Sequence, residues 1–180
     1  MPDESATEGV AARPSAIQRT TAYFTVDFPR GRRQPAAGPF ITAAVVSIIG
    51  SLAACAAIVA IGTAVFPATV GYEHFRFLDY AKLTVPGVVA ASLAWPVVTF
   101  FSSRARRLFA WLAVAVTLGG LAPDAWILVR GDAPAAVLIL VVMHLALAAV
   151  TYPALVYIAP QRCAAEASKD EATSPLRGTW

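Results

Sequence analysis

The chain has 180 residues, of which 58% are hydrophobic and only 14% charged, and its mean hydropathy is +0.64. Soluble domains run nearer about 45–50% apolar and about 25% charged, so a single soluble domain is excluded: several uncharged runs of this kind need a bilayer to bury them. The formal net charge of +3 does not point to nucleic acid as a partner, because the basic residues flank apolar runs and form no basic face interleaved with aromatics.

Residues 1–39 mix proline, glycine, small polar residues and both signs of charge without a sustained period. They are expected to be a disordered cytoplasmic tail. Within them, Ala22 to Phe28 alternates weakly, which suits either a short interfacial patch or an unstructured stretch with a few aromatics. Acidic residues come first and the apolar run begins late, which is not the pattern of a secretory signal.

Four apolar spans follow, at about 40–66, 83–101, 108–129 and 135–158. The fold class expected is all-α: an integral membrane four-helix bundle with short loops and polar tails, the last from residue 159 onward. The first span exceeds the ~30 Å hydrocarbon core and calls for tilt or overhang. In the third, the uninterrupted part from Leu108 to Ala122 is too short to cross. Pro123, Asp124 and Trp126 must therefore enter the membrane or its boundary.

Arginine placement predicts the orientation. Arg30, Arg32 and Arg33 precede span one, Arg104, Arg106 and Arg107 lie between spans two and three, and Arg162 follows span four. The opposite side has Arg76, Lys82 and Arg130, diluted by Glu73, Asp79 and Asp132. The excess of cations marks the cytoplasmic side, so both termini are expected in the cytoplasm and the protein in the inner (plasma) membrane. Aromatics such as Tyr72, Tyr80 and Trp126 at one boundary, and Phe101, Trp111 and Tyr157 at the other, suit the headgroup level.

Lipid gives no hydrophobic drive between helices, so contact faces favour small residues. Ala43, Ser47, Ser51 and Cys55 recur every four residues along span one, with Gly50, Ala54 and Gly62 on a neighbouring stripe. This side is assigned to the bundle interior, or else to contact with a second copy or another membrane protein; Ile49 and Ile61 on the other side would face lipid. Pro86 is placed in the first turn of span two, where its missing N–H is harmless. Pro96, Pro123 and Pro153 fall inside spans and would loosen them. Cys55 and Cys163 lie at different depths, which excludes a mutual disulfide.

No P-loop, dinucleotide fingerprint, nucleophile elbow or H-E-x-x-H motif occurs. No cofactor or metal is expected, since Glu73, His74, Asp79, Asp124 and His144 have no ligand spacing. Asp124 and His144 are the costly residues, because ionisable side chains inside spans are rare and normally face the interior or a wet cavity. Counting back from the short 130–134 connection puts Leu140 level with Asp124, and His144 about one turn, ~6 Å, deeper. Helical side chains lean toward the N-terminus, so in antiparallel neighbours both lean to close the gap. Either they form a proton-handling or ligand-binding pair, or His144 stays neutral and hydrogen-bonds a serine, threonine or backbone carbonyl while Asp124 caps the outer helix end or sits among headgroups. Glu73, in the dense loop Gly71 to Lys82, is the third candidate catalytic group.

The Val85-Pro86-Gly87, Leu121-Ala122-Pro123-Asp124-Ala125 and Met143-His144-Leu145 stretches, with the Ala/Val/Arg-rich, lysine-poor composition, resemble the small four-span membrane proteins of unknown function found in high-GC actinobacteria. The resemblance covers about 40–158 and implies fold and location, but no activity. Three functions are carried forward. The first is a non-enzymatic accessory, anchoring or regulatory bundle. The second is a small intramembrane enzyme acting on an isoprenoid or other lipid, with Asp124 or Glu73 as acid and His144 as base. The third is a transporter or channel subunit. A cavity holding Asp124 and His144 would favour chemistry, and a close-packed bundle would oppose it.

Overall fold

The computed structural model describes residues 34–162; the Ala22–Phe28 patch, the arginines before span one and Cys163 lie outside the described residues. It is an all-α bundle of four helices: α1 (Ala37–Val65), α2 (Phe77–Phe101), α3 (Ala105–Val129) and α4 (Pro134–Pro153), the last continued by a π-helical turn over Ala154–Ile158. No strand occurs among the described residues. Each of α1, α2, α3 and the continuous α4 segment is long and apolar enough to cross a membrane.

Two helix starts differ from the apolar windows. α2 begins at Phe77, not near Leu83, because charge interrupts the apolar run without interrupting the helix. Asp79 falls in the first turn, where the helix dipole favours an anion, and Lys82 pairs with it one turn on at 3.4 Å. Pro86 is consequently an interior residue of α2, not a first-turn one, and it removes the bond to the Lys82 carbonyl. Likewise Arg106 and Arg107, expected in a loop, sit in the first turn of α3, with Arg104 as its N-cap. Cations oppose the dipole there, so nothing local in the sequence announces that start.

The turn from α3 to α4 is fully specified by its chemistry. Gly131 adopts φ +100°, its N–H bonds the Leu128 carbonyl at 3.1 Å, and Asp132 N–H reaches Ile127 at 3.2 Å. These bonds form a Schellman cap, which needs a left-handed residue at this position. Pro134 then opens α4, where the helix has no use for its N–H.

α4 lies centrally, packing on α1 and α3 and more lightly on α2; α1 also packs on α2. The small stripe of α1 faces inward: Ala43, Ser47, Ser51 and Cys55 are fully buried. Ser51 hydrogen-bonds Thr151 of α4 at 3.2 Å. A Cβ on Gly50 would fall 2.9 Å from Val150, and one on Gly62 would fall 2.6 Å from Ile139. The stripe is therefore covered by the chain's own helices, as the first of the two alternatives expects. Ile49 and Ile61 point outward.

At the end of the bundle that carries the α2–α3 turn, Trp95 and Leu155 are fully buried. Trp95 donates its indole hydrogen to the Ala159 carbonyl at 2.8 Å, and its ring meets Phe109 with centroids 5.1 Å apart. Phe109 stacks on Tyr152. Gln161 donates to the Ser102 carbonyl at 2.8 Å. Together these contacts pin the chain leaving α4 onto α2 and α3.

α3 is the least embedded helix. Its buried residues are Ala105 and Phe109 near one end and Asp124 near the other. Between them, α3 and α4 leave an open apolar groove of about 600 Å³, bordered by Ala110, Val114, Leu118, Ala148 and Tyr152 among others. The buried side chains of α3 thus lie toward its two ends, and one of them is Asp124.

Candidate functional site

The opposite end of the bundle holds a second cavity, of about 290 Å³, to which all four helices contribute. Cys55 comes from α1, Asp79, Tyr80 and Thr84 from α2, Asp124 from α3, and His144 from α4. Most of the remaining wall is apolar, including Leu83, Ile127, Met143 and Leu147. His74 enters from the connection at 66–76, which crosses this end of the bundle as two short 3-10 turns.

Asp124 and His144 meet here. Asp124 Oδ2 lies 3.0 Å from His144 Nδ1; the aspartate side chain is only 7% exposed, whereas the histidine keeps 36%. The contact comes from the hairpin: a short turn makes α3 and α4 antiparallel neighbours, and the opposed leans of the two side chains close the axial offset. Gly120, one turn before Asp124 on the same face, completes the fit. A Cβ there would stand 3.0 Å from the imidazole Cδ2 and 3.3 Å from Nε2, so only glycine lets the ring lie against α3 unimpeded.

Nδ1 also lies 3.1 Å from the Leu140 carbonyl, one turn back on α4. Both neighbours of Nδ1 are acceptors, so Nδ1 carries a hydrogen and Nε2 is the nitrogen that gains or loses a proton. The N–H is directed at the carbonyl. That reconciles the 3.0 Å approach of Oδ2 with its having no directed hydrogen bond of its own. The two groups are held by proximity more than by hydrogen-bond alignment, and the carboxylate has unused accepting capacity. Such an arrangement can take up a proton at Nε2, or accept a donor at the carboxylate.

Glu73 is not brought to this site. Its side chain is 79% exposed and lies 3.9 Å from His74; it is His74, the next residue, that lines the cavity. A 3-10 turn over Glu73–Phe75 buries Phe75, and that register turns Glu73 outward. Asp79 borders the cavity from the first turn of α2, with Lys82 at 3.4 Å. The Cys55 thiol faces Thr84 Oγ1 at 4.0 Å. No group of three or more His, Cys, Asp or Glu side chains converges to hold a metal among the described residues.

Beyond the cavity, Tyr72 donates its phenolic hydrogen to Asp132 at 2.6 Å. Burial, and then the bond and charge of Asp132, push the Tyr72 hydroxyl up to about 12. The Tyr72 ring also meets His74 and Phe75 edge-on. Gly120 and the Leu140 carbonyl were missed in the sequence. The spacing of four between Gly120 and Asp124 is a readable signal, whereas a backbone acceptor leaves none. Comparison with family models, with curated proteins and with solved structures gave no match.

Proposed function

We propose that this chain is a plasma-membrane protein, with both ends cytoplasmic, that admits an amphipathic small molecule to the cavity at Asp124 and His144 and couples its binding to a proton at that pair. The observation that supports this reading is a carboxylate almost completely removed from water, at ion-pair distance from a partly exposed imidazole, on the wall of an apolar cavity. Ionisable groups at such depth are expensive. Packing alone does not require them, because an apolar pair would fill the same space at lower cost. Arginines at the α2–α3 turn support the orientation.

An accessory or anchoring role is the second reading, favoured by the short connections, which leave no folded domain outside the spans among the described residues. It is the weaker one, because the small-residue face suited to helix contact is already used inside the bundle.

Native mass spectrometry of the full chain, extracted in mild detergent, tests the proposal. A bound molecule of discrete mass should accompany the wild type and be lost from Asp124→Asn, at unchanged helicity. A wild type without any such adduct, or an Asp124→Asn variant that keeps it, would favour the accessory role. Lipid extracts of a deletion strain and its parent separate binding from catalysis, since only an enzyme changes the lipid profile.

A further inference from the structure

The charge inventory of the cavity is one-sided. Two carboxylates, Asp124 and Asp79, line it, and neither lysine nor arginine does. Asp79 is accompanied by Lys82 at 3.4 Å, on the exposed side of α2. Asp124 has no such fixed cation. Among the described residues the charged partner in contact with it is the His144 imidazole, a cation only when Nε2 is protonated, and the His74 imidazole acts on it from farther off. The other polar groups facing the site are Tyr80 and Thr84 of α2, Cys55 of α1 and His74 from the 66–76 crossing. Of these only His74 can become cationic, and it keeps nearly half its side chain exposed.

An ionised carboxylate among apolar walls needs one compensating positive charge. With Nε2 bare, the pair carries one negative charge in total. A proton at Nε2 brings it to neutrality, and so does an ammonium group seated against the carboxylate. Both together would leave one uncompensated positive charge in the same apolar space, which is as costly as the bare carboxylate. We infer that the cavity, read as a binding site under the proposal above, takes a lipophilic ammonium ion and that this ion and a proton occupy the Asp124–His144 pair one at a time. The ammonium N–H groups donate to the carboxylate while the apolar body lies against Leu83, Ile127 and Met143. At about 290 Å³ the space is at the small end of ligand cavities and suits a single-chain amine.

The exchange balances. The loaded state begins as imidazolium plus carboxylate. The ammonium enters, Nε2 gives its proton to water, and the site ends as neutral imidazole, carboxylate and bound ammonium. No electrons move, and one positive charge leaves for each that arrives.

The test uses the purified full chain in detergent, with n-octylammonium as probe below its own micellisation, and n-octanol and octanoate as neutral and anionic counterparts. Calorimetry reads affinity, and a pH dye in weak buffer reads proton release. On the acid side, where Nε2 is protonated, wild type should bind octylammonium and release one proton per amine, with Kd rising about tenfold for each pH unit of acidification. Asp124→Asn should weaken amine binding at least about tenfold at unchanged helicity. His144→Gln should abolish the pH dependence and the proton release, whereas His74→Gln should keep both. Octanol or octanoate binding through Asp124 in place of the amine would overturn the ammonium assignment and leave the binding-site reading standing. Amine binding without proton release, or a pH dependence that disappears with His74, would overturn the exclusivity. If none of the three probes binds wild type, the binding-site reading itself falls.

Discussion

Tyr72 and Asp132, from two different connections, share a 2.6 Å hydrogen bond that ties the 66–76 crossing to the α3–α4 turn. The bond also holds the segment bearing His74, because the Tyr72 ring touches that imidazole edge-on.

Breaking this tie should be visible in a pH titration. The folded Tyr72 hydroxyl ionises near 12, raised above the ordinary value of 10.0 by burial and then by Asp132. A group whose folded pKa is raised contributes stability that is complete below the unfolded value. That contribution is lost as pH climbs from about 10 through about 12. Tyr72→Phe should remove the highest-pH component of the phenolate absorbance titration and flatten the loss of thermal stability across that window. It should also lower stability at neutral pH by about 1.5–3 kcal/mol, the range for a hydrogen bond to a charged group. A phenolate titration identical to wild type would show that the bond does not form.

The inward face of α1 predicts a contrast between neighbouring residues. Ser51→Leu places a larger side chain at a fully buried position bonded to Thr151, and Gly62→Ala drives a methyl group into Ile139. Each should destabilise the bundle by about 1–3 kcal/mol, by analogy with overpacked soluble cores. Ile49→Leu, on the outward face, should be near neutral. Thermal denaturation in detergent makes the comparison, and equal melting of the three would remove the α1–α4 contact as a determinant of stability.

The site pair can be weighed by a double-mutant cycle. Asp124→Asn, His144→Gln and the double variant should show a coupling of about 0.5–3 kcal/mol, as expected for groups in contact. Gly120→Ala should mimic part of the loss, because its methyl group displaces the ring from α3. Additive single effects would mean that the 3.0 Å approach carries no interaction energy.

Orientation has a direct readout. In a background with Cys55 and Cys163 replaced by alanine, a cysteine at Ser103, in the α2–α3 turn, should resist an impermeant thiol reagent on intact cells. One at the exposed Glu73 should label. The reverse pattern would invert the topology drawn from arginine placement.

Much of this architecture can be read from the residues alone, because the bilayer imposes a coarse rule that hydropathy follows. The spans, the inward stripe of α1 and the approach of Asp124 to His144 all rest on periodicity, hairpin length and side-chain lean. The helix starts escape that reading for a physical reason. Asp79 and Lys82 interrupt apolarity while reinforcing helicity, and Arg106 and Arg107 enter a helix whose dipole disfavours them. Pro86 moves from the first turn to the interior for the same reason, since its position counts from a start that lies six residues earlier. Glu73 gives way to His74 at the cavity, because which of two adjacent residues a 3-10 turn points inward depends on where Phe75 is buried.

The attachment of α3 through Asp124 also bears on how the protein is made. Asp124 and His144 belong to one hairpin, separated only by the capped turn at Gly131 and the helix ends beside it. An aspartate at mid-helix costs about 2.5–3.5 kcal/mol on insertion, and less toward the end of a span. Its compensating partner arrives within the next helix to be synthesised, independent of α1 and α2. The last two spans can therefore leave the translocation channel as one unit with their costly carboxylate already matched, and dock afterwards onto the apolar pair that preceded them.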